Sequence, residues 1–247
     1  AKDFFCSNLH SNLSAHQVEA LKYLKERGFV NEIIQEFEIG LASISNDALL
    51  RHLVAQKKSL PDIEKAGLVF KSERGTYWDR FRGRIMFPLY NSFGKVVGFT
   101  GRVLPSQVAE TGIDSAKYVN SPETPIFSKS KVLYGFHLAK NNIRELKTVI
   151  VVEGQMDFLM MWQDGIKNVI ASSGTALTHD HLNVLRRMAD NLILSFDADA
   201  AGVAAAERSI DSAAAQDFNV KMLSIEGDFK DPAEVVQALP GMMAKFV

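Results

Sequence analysis

A chain of 247 residues with 47% hydrophobic and 23% charged side chains is long enough for one large domain or two small ones, and its composition excludes whole-chain disorder. No apolar run reaches the ~18 residues of a membrane helix, the first residues lack a secretory leader's basic-then-apolar pattern, and the single cysteine, Cys6, excludes an intramolecular disulfide and a cysteine-rich zinc site, which points to a reducing, cytoplasmic setting. The net charge of −1 hides a polarised chain: residues 71–147 carry 13 basic and 6 acidic side chains, residues 148–247 carry 7 basic and 14 acidic, so a polyanion suits the first segment and cations suit the second.

Residues 1–70 read as helical. Ser14-Ala-His-Gln17 fits a capping box, with Val18, Leu21 and Leu24 following at helical spacing and Gly28 ending the helix. Further helices are expected at Glu32–Glu38 and Asp47–Gln56. The period then changes. Leu68–Lys71 and Thr76–Trp78 are expected to pair, and Arg84–Tyr90 and Lys95–Val103 form a hairpin pattern around Asn91-Ser-Phe-Gly94. Residues 104–130, with Pro105, Gly112, Pro122 and Pro125, read as a long loop, a length that favours a functional role. A helix is expected at Phe136–Leu146.

From Thr148 the rhythm is β-α-β-α. Strands are expected at 148–152, 168–171, 191–196 and 219–224, and helices at 155–164, 178–189, 201–216 and 232–238. Apolar strands alternating with helices of this length predict a parallel sheet covered on both faces.

Ligands of such sheets bind beyond the carboxyl ends of the strands. Those ends carry Glu153-Gly154, Asp197-Ala-Asp199, and a loop with Asp228 and Asp231. Residues i and i+2 of an extended segment point the same way, so Asp197 and Asp199 can face one site. Crowded carboxylates repel unless cations neutralise them, and hard oxygen donors suit Mg²⁺ or Mn²⁺. His179 and His181 lack ligand partners and read as the start of a surface helix. Cys6 reads as packing or surface. Ser172-Ser-Gly-Thr175 fits a phosphate cradle at a helix N-terminus and a plain βα loop equally well.

Val151-Val-Glu-Gly-Gln-Met-Asp157, Ala171-Ser-Ser-Gly-Thr175 and Ser195-Phe-Asp-Ala-Asp-Ala-Ala-Gly202 together resemble the TOPRIM domain, shared by bacterial primases, type IA and type II topoisomerases and some nucleases. Upstream, Asp79-Arg-Phe-Arg-Gly-Arg-Ile-Met-Phe-Pro88, Val97-Gly-Phe-Thr-Gly-Arg-Val-Leu104, Lys117-Tyr-Val-Asn-Ser-Pro-Glu-Thr124, Ile126-Phe-Ser-Lys129 and Leu133-Tyr-Gly135 resemble the DnaG-type bacterial primase. The stretch Tyr-Leu-Lys-Glu-Arg-Gly at 23–28 and Phe37-Glu-Ile-Gly40 fit the start of the same core. The resemblance runs in order along nearly the whole chain.

It implies an α/β architecture: a basic α+β N-terminal subdomain over 1–147, for template and nucleotide, then a TOPRIM parallel sheet flanked by helices over 148–247, for metal. It implies RNA primer synthesis on single-stranded DNA from ribonucleoside triphosphates. By position, the catalytic residues are Glu153, Asp197 and Asp199. Mg²⁺ or Mn²⁺ falls to Glu153, Asp157, Asp197, Asp199 and Asp231, and DNA or nucleotide to Arg82, Arg102, Lys117, Tyr118, Asn120 and Lys129. Two positions depart from the family pattern. Gln155 replaces a tyrosine, which we read as tolerated because glutamine still packs and hydrogen-bonds. Ala233 replaces the second carboxylate of an Asp-Pro-Asp motif, which weakens metal binding and leaves the number of metals open. The chain lacks Met at its start and stops soon after the TOPRIM segment, as expected of a catalytic core. Such primases carry zinc in an N-terminal domain and meet the replicative helicase through a C-terminal one; neither pattern is in this sequence. Three rival readings remain: a haloacid-dehalogenase-type phosphatase, although Ala201 stands where that pattern favours Thr or Val; a DNA-binding TOPRIM module; and another TOPRIM enzyme.

Overall fold

The computed structural model describes residues 1–11, 14–105, 116–174, 176–196, 200–223, 229 and 231–246, with the backbone alone at 200–205. The chain divides into two compact units, residues 1–89 with 96–129, and residues 90–95 with 130–247. Residues 130–147, placed by sequence with the basic segment, thus group with the second unit. Among the described residues no helix is long and apolar enough to cross a membrane.

The first unit begins with α1 (Lys2–His10) and α2 (Ala15–Glu26). The expected capping box is present: Ser14 Oγ accepts the Gln17 N–H, and Gln17 Oε1 accepts the Ser14 N–H at 2.8 Å. Then follow α3 (Asn31–Glu36), β1 (Gly40–Leu41), α4 (Ala48–Ala55), α5 (Leu60–Lys65), β2 (Val69–Lys71) and β3 (Tyr77–Asp79). Antiparallel β2 and β3 form a ribbon, while β1, β4 (Arg84–Tyr90), β5 (Val96–Val103) and β6 (Tyr118–Asn120) form a sheet in the order β1-β4-β5-β6. β1 opposes only Ile85 and Met86, so Pro88 lies past it, where no strand needs the missing N–H. α1 lies so close over β1 that a Cβ on Gly40 would come within 2.5 Å of Phe5. Phe5, Phe81 and Phe99 build the core with Met86, Leu49 and Ile63; Phe5 meets Phe99 edge-on at 5.2 Å.

One expectation fails here. The stretch 104–130 is not all loop, because Tyr118–Asn120 forms β6, paired with Thr100–Arg102. Three half-exposed residues show no alternation to read. The helix α5 falls within the stretch read as helical, and its start is signalled by Ser59, which caps it through the Asp62 N–H, and by Pro61 in its first turn.

Asp79, the first residue of a resemblance motif, has a structural task. Its carboxylate is 2% exposed and accepts the N–H groups of Leu49 (2.7 Å) and Leu50 (3.0 Å), capping α4, whose own N-cap Asp47 makes no such bond. Burial pushes this carboxyl above its ordinary value, and the two N–H bonds oppose the rise. Asp79→Ala strands both donors and is expected to cost about 2–4 kcal/mol. Asp79→Asn keeps one acceptor and should cost less. Denaturant unfolding checks this; a loss below about 1 kcal/mol for the alanine variant would refute the capping role.

In the second unit, α6 (Phe136–Leu146) precedes the parallel sheet of β7 (Thr148–Val152), β8 (Val169–Ala171), β9 (Asn191–Ser195) and β10 (Asn219–Met222), ordered β10-β9-β7-β8. Helices α7 (Gln155–Gln163), α8 (His179–Arg186), α9 (Ala200–Ala214) and α10 (Pro232–Ala238) alternate with the strands, as the rhythm predicts. β7 is central and four of its five residues are buried. α7 buries Gln155, Met156 and every residue from Phe158 to Trp162, because β8 lies against it on one side and α10 on another. The turn at 90–95 joins this unit through Tyr90, stacked on His137 at 4.4 Å, and Lys140, which donates to the Ser92 carbonyl at 2.8 Å. The Leu133-Tyr-Gly135 motif extends the sheet: Tyr134 exchanges two backbone hydrogen bonds with Ala171 (2.9 and 3.1 Å). Gly135 starts α6 at φ +78°, and a Cβ there would sit 2.2 Å from the Phe158 ring.

Candidate functional site

At the carboxyl end of β7 the chain turns through half-buried Glu153 and Gly154 into α7. Asp157 lies in the first turn of that helix, where a negative charge suits the helix dipole. A Cβ on Gly154 would come 2.9 Å from Asp157 Oδ2, so the missing side chain makes room for this carboxylate over the turn. The loop after β8 folds against the same turn. Ser172 N–H donates to Val152 O (3.0 Å), Gly174 N–H donates to Glu153 O (3.3 Å), and Gln155 Nε2 donates to Ser173 Oγ (2.8 Å). Gln155 is 3% exposed, so it does pack and hydrogen-bond in the place of the family's tyrosine.

The register Val152↔Ser195 brings the ends of β7 and β9 level. Asp197 and Asp199 follow Ser195 in sequence and lie outside the described residues, as do Thr175 and Asp228. Asp231 is the N-cap of α10, its Oδ1 accepting the Glu234 N–H at 2.8 Å; one oxygen is thereby committed to the helix. Ala233 is 6% exposed. Among the described residues no group of three or more His, Cys, Asp or Glu side chains could hold a metal ion. Glu153 and Asp157, two hard oxygen donors flanking a glycine cradle, nonetheless fit a divalent cation chemically. Of the two readings of 172–175, the plain βα loop fits better, since α8 starts later with its own capping box: Thr178 Oγ1 accepts the His181 N–H (3.1 Å) and His181 Nδ1 accepts the Thr178 N–H (3.3 Å). His181 is 1% exposed, which corrects its reading as a surface residue.

In the first unit, the β5–β6 ladder sets Arg102 opposite Tyr118 and Thr100 opposite Asn120. Gly101 turns to the other face, toward Arg84, Phe81 and Met86. The ladder thus has a core face and a face carrying Arg102, Tyr118 and Asn120. Arg102 Nη1 donates to Tyr118 Oη, and its guanidinium lies 5.0 Å from the Tyr118 ring centroid and 5.4 Å from that of Tyr23. Thr100 Oγ1 donates to Asn120 Oδ1 at 2.6 Å. Lys117 is exposed, and its carbonyl accepts the Val103 N–H (3.1 Å). Elsewhere, Arg82 donates to Asn46 Oδ1 (2.6 Å) over Trp78, and the Lys129 main-chain N–H donates to Glu123 (2.8 Å). Among the described residues, none of Arg82, Arg102, Lys117 and Lys129 forms an ion pair.

Two basic residues do not contribute to such a surface. Arg84 is 8% exposed and donates to the Gly101 (3.3 Å) and Ala116 (2.9 Å) carbonyls; Arg80 donates to Gly67 O (2.9 Å). Burial lowers both guanidinium pKa values from the ordinary one. The surplus counted from sequence therefore overstates the charge offered to a polyanion.

Residues 4–140 match the family model for the N-terminal domain of the DNA primase catalytic core, and residues 150–236 match the Toprim-like model. The chain is 41% identical over 222 residues to the DNA primase of Geobacillus stearothermophilus, covering 90% of this chain and 36% of that protein. It thus spans about a third of the length of the curated relatives it matches. Among solved structures, a DNA primase domain from Pseudomonas aeruginosa superposes with a TM-score of 0.86 at 36% identity, covering 99% of this chain and 74% of that one. A DnaG primase catalytic domain bound to single-stranded DNA superposes with a TM-score of 0.83 at 33% identity, covering 99% and 74%.

Proposed function

The chain belongs to the bacterial DnaG-type primase family, and on that premise we propose that it carries the catalytic core for synthesising short RNA primers on single-stranded DNA. The substrates are ribonucleoside triphosphates, with Mg²⁺ or Mn²⁺ as cofactor. The observation that carries this reading is the conjunction, in one chain, of a carboxylate turn at the end of a central parallel strand and a β-ladder face on which an arginine, in no ion pair among the described residues, donates to a tyrosine hydroxyl.

Glu153, Asp157, Asp197, Asp199 and Asp231 would hold the metal. A metal held there would neutralise phosphate charge as a primer 3′-oxygen displaces pyrophosphate from the α-phosphorus of the incoming nucleotide. Glu153, Asp197 and Asp199 are the catalytic group. Asp231 has a cap to serve as well, and with Ala233 in place of a carboxylate the site holds its cation less tightly than one with the full set. Arg102 offers a planar fork for phosphate oxygens, and Lys117 and Lys129 supply mobile point charges. Arg82 and Asn120 add polar contacts. Tyr118 offers a ring on which a base of any identity stacks. Contacts of this type follow the nucleic-acid backbone, which suits an enzyme that works on varied templates.

The test is template-dependent incorporation of ribonucleotides on single-stranded DNA with Mg²⁺ or Mn²⁺, with Arg102→Ala, Lys117→Ala and Lys129→Ala made one at a time in the full-length protein. Each loss of a phosphate contact should weaken DNA binding roughly threefold to tenfold at low salt, with a smaller deficit at high salt. Unchanged affinity and unchanged incorporation in all three would overturn the nucleic-acid assignment. Hydrolysis of a small phosphoester without template would favour a phosphatase instead.

A further inference from the structure

Tyr23 lies in α2, half-buried beside the fully buried Leu24, and its ring covers the Arg102 guanidinium, which Tyr118 also covers. Its hydroxyl makes no hydrogen bond among the described residues, so the ring is what it contributes. The capping box at Ser14 and Gln17 fixes where α2 starts, and with it the position of Tyr23 along the helix.

We propose that Tyr23 is a positioning residue: together with Tyr118 it holds the Arg102 guanidinium flat, so that its remaining in-plane N–H groups are ready for a phosphate. The inference rests on the reading of Arg102 as a phosphate contact. A guanidinium is planar and weakly hydrated on its faces, and it stacks on aromatic rings while its edge still donates. One edge donor goes to Tyr118 Oη. No carboxylate competes for the others among the described residues. A free arginine would have to be ordered at the moment of binding, whereas a stacked one is ordered beforehand. The phosphate has two possible sources, the template backbone and the incoming nucleotide.

The experiment compares Tyr23→Ala, Tyr23→Leu, Tyr23→Phe, Arg102→Ala and the Tyr23→Leu/Arg102→Ala double variant in full-length protein. Affinity for an oligothymidylate of fixed length reports on the template. KM and kcat for ribonucleotides at saturating template report on the nucleotide. Tyr23→Leu keeps apolar bulk over α2, so that folding is maintained if alanine proves too small. Tyr23→Leu is expected to weaken one or both affinities about threefold to tenfold with kcat little changed. Tyr23→Phe should restore the parent values. In the Arg102→Ala background the leucine change should add less than about twofold, because its effect runs through the guanidinium. A shift confined to the oligonucleotide assigns the stack to the template, and one confined to KM assigns it to the nucleotide. If Arg102→Ala weakens binding while Tyr23→Leu is silent, or acts equally in both backgrounds, the positioning role is overturned and the reading of Arg102 stands. If Tyr23→Phe fails as badly as leucine, the hydroxyl meets ligand directly and the proposal is likewise overturned. If Arg102→Ala has no effect, the reading of Arg102 itself falls, and the proposal with it.

Discussion

Glu153→Gln is expected to lower primer synthesis roughly 100- to 1000-fold, the size of losing several kcal/mol of metal-borne charge stabilisation in the transition state. The change removes charge with almost no change in volume at a turn that follows the central strand and is braced by Gly174 N–H on its own carbonyl. The backbone should therefore stay in place. Asp197→Asn and Asp199→Asn should have the same effect. Single-stranded DNA affinity should change by less than about threefold, since the backbone contacts proposed above fall to Arg102, Lys117 and Lys129. A priming assay run beside a binding isotherm and a metal titration separates these effects. Parent-like priming by Glu153→Gln would show that the carboxylate is not part of the chemistry. Equal loss of priming and DNA binding would show that it acts on folding or on template instead.

Gly135→Ala is expected to destabilise the second unit by about 2–5 kcal/mol. Part of this, about 1–2 kcal/mol, comes from holding an L side chain at φ +78°. The rest, about 1–3 kcal/mol, comes from driving a methyl group into Phe158. That ring cannot yield easily, being fully buried, edge-on to Tyr134 at 5.0 Å and stacked on Trp162 at 5.6 Å. Chemical denaturation gives the loss directly. A Gly135→Ala/Phe158→Leu pair should cost less than the sum of its two single changes, because the second opens the space that the first fills. Strict additivity would place the strain elsewhere.

Much of this was legible beforehand, and the failures have physical reasons. Apolar runs of four or five residues bounded by helical patterns gave the parallel strands, since a central strand buried on both faces needs nothing but such a run. The place of Glu153 was legible because the apolar run 148–152 ends there and Gly154 marks the turn into the next helix; the metal role given to it stays a proposal. The cap at Asp231 was legible too, from an aspartate followed by proline and by Glu234, but the metal reading eclipsed it. Arg82 and Arg84 stand two apart in one string, and nothing local says that one rests on Trp78 while the other is driven under Gly101; that is decided when β5 closes over β4. The contact of Tyr23 with Arg102 spans 79 positions of sequence, which no periodicity can reveal. The short β6 exists because Ser121 Oγ accepts the Phe99 N–H at 2.9 Å and its own N–H reaches Phe99 O at 2.8 Å, tying the end of the ladder.

The burial of α7 between β8 and α10 bears on time as well as on place. A helix with no exposed flank has no cheap local opening, and its amide hydrogens reach solvent only when the larger cooperative unit comes apart. Asp157 rides on that helix. Its motions are expected to be mainly fast side-chain rotations on a backbone held by that packing. On the metal role proposed for Asp157, the carboxylate would begin each encounter with a cation from nearly the same position.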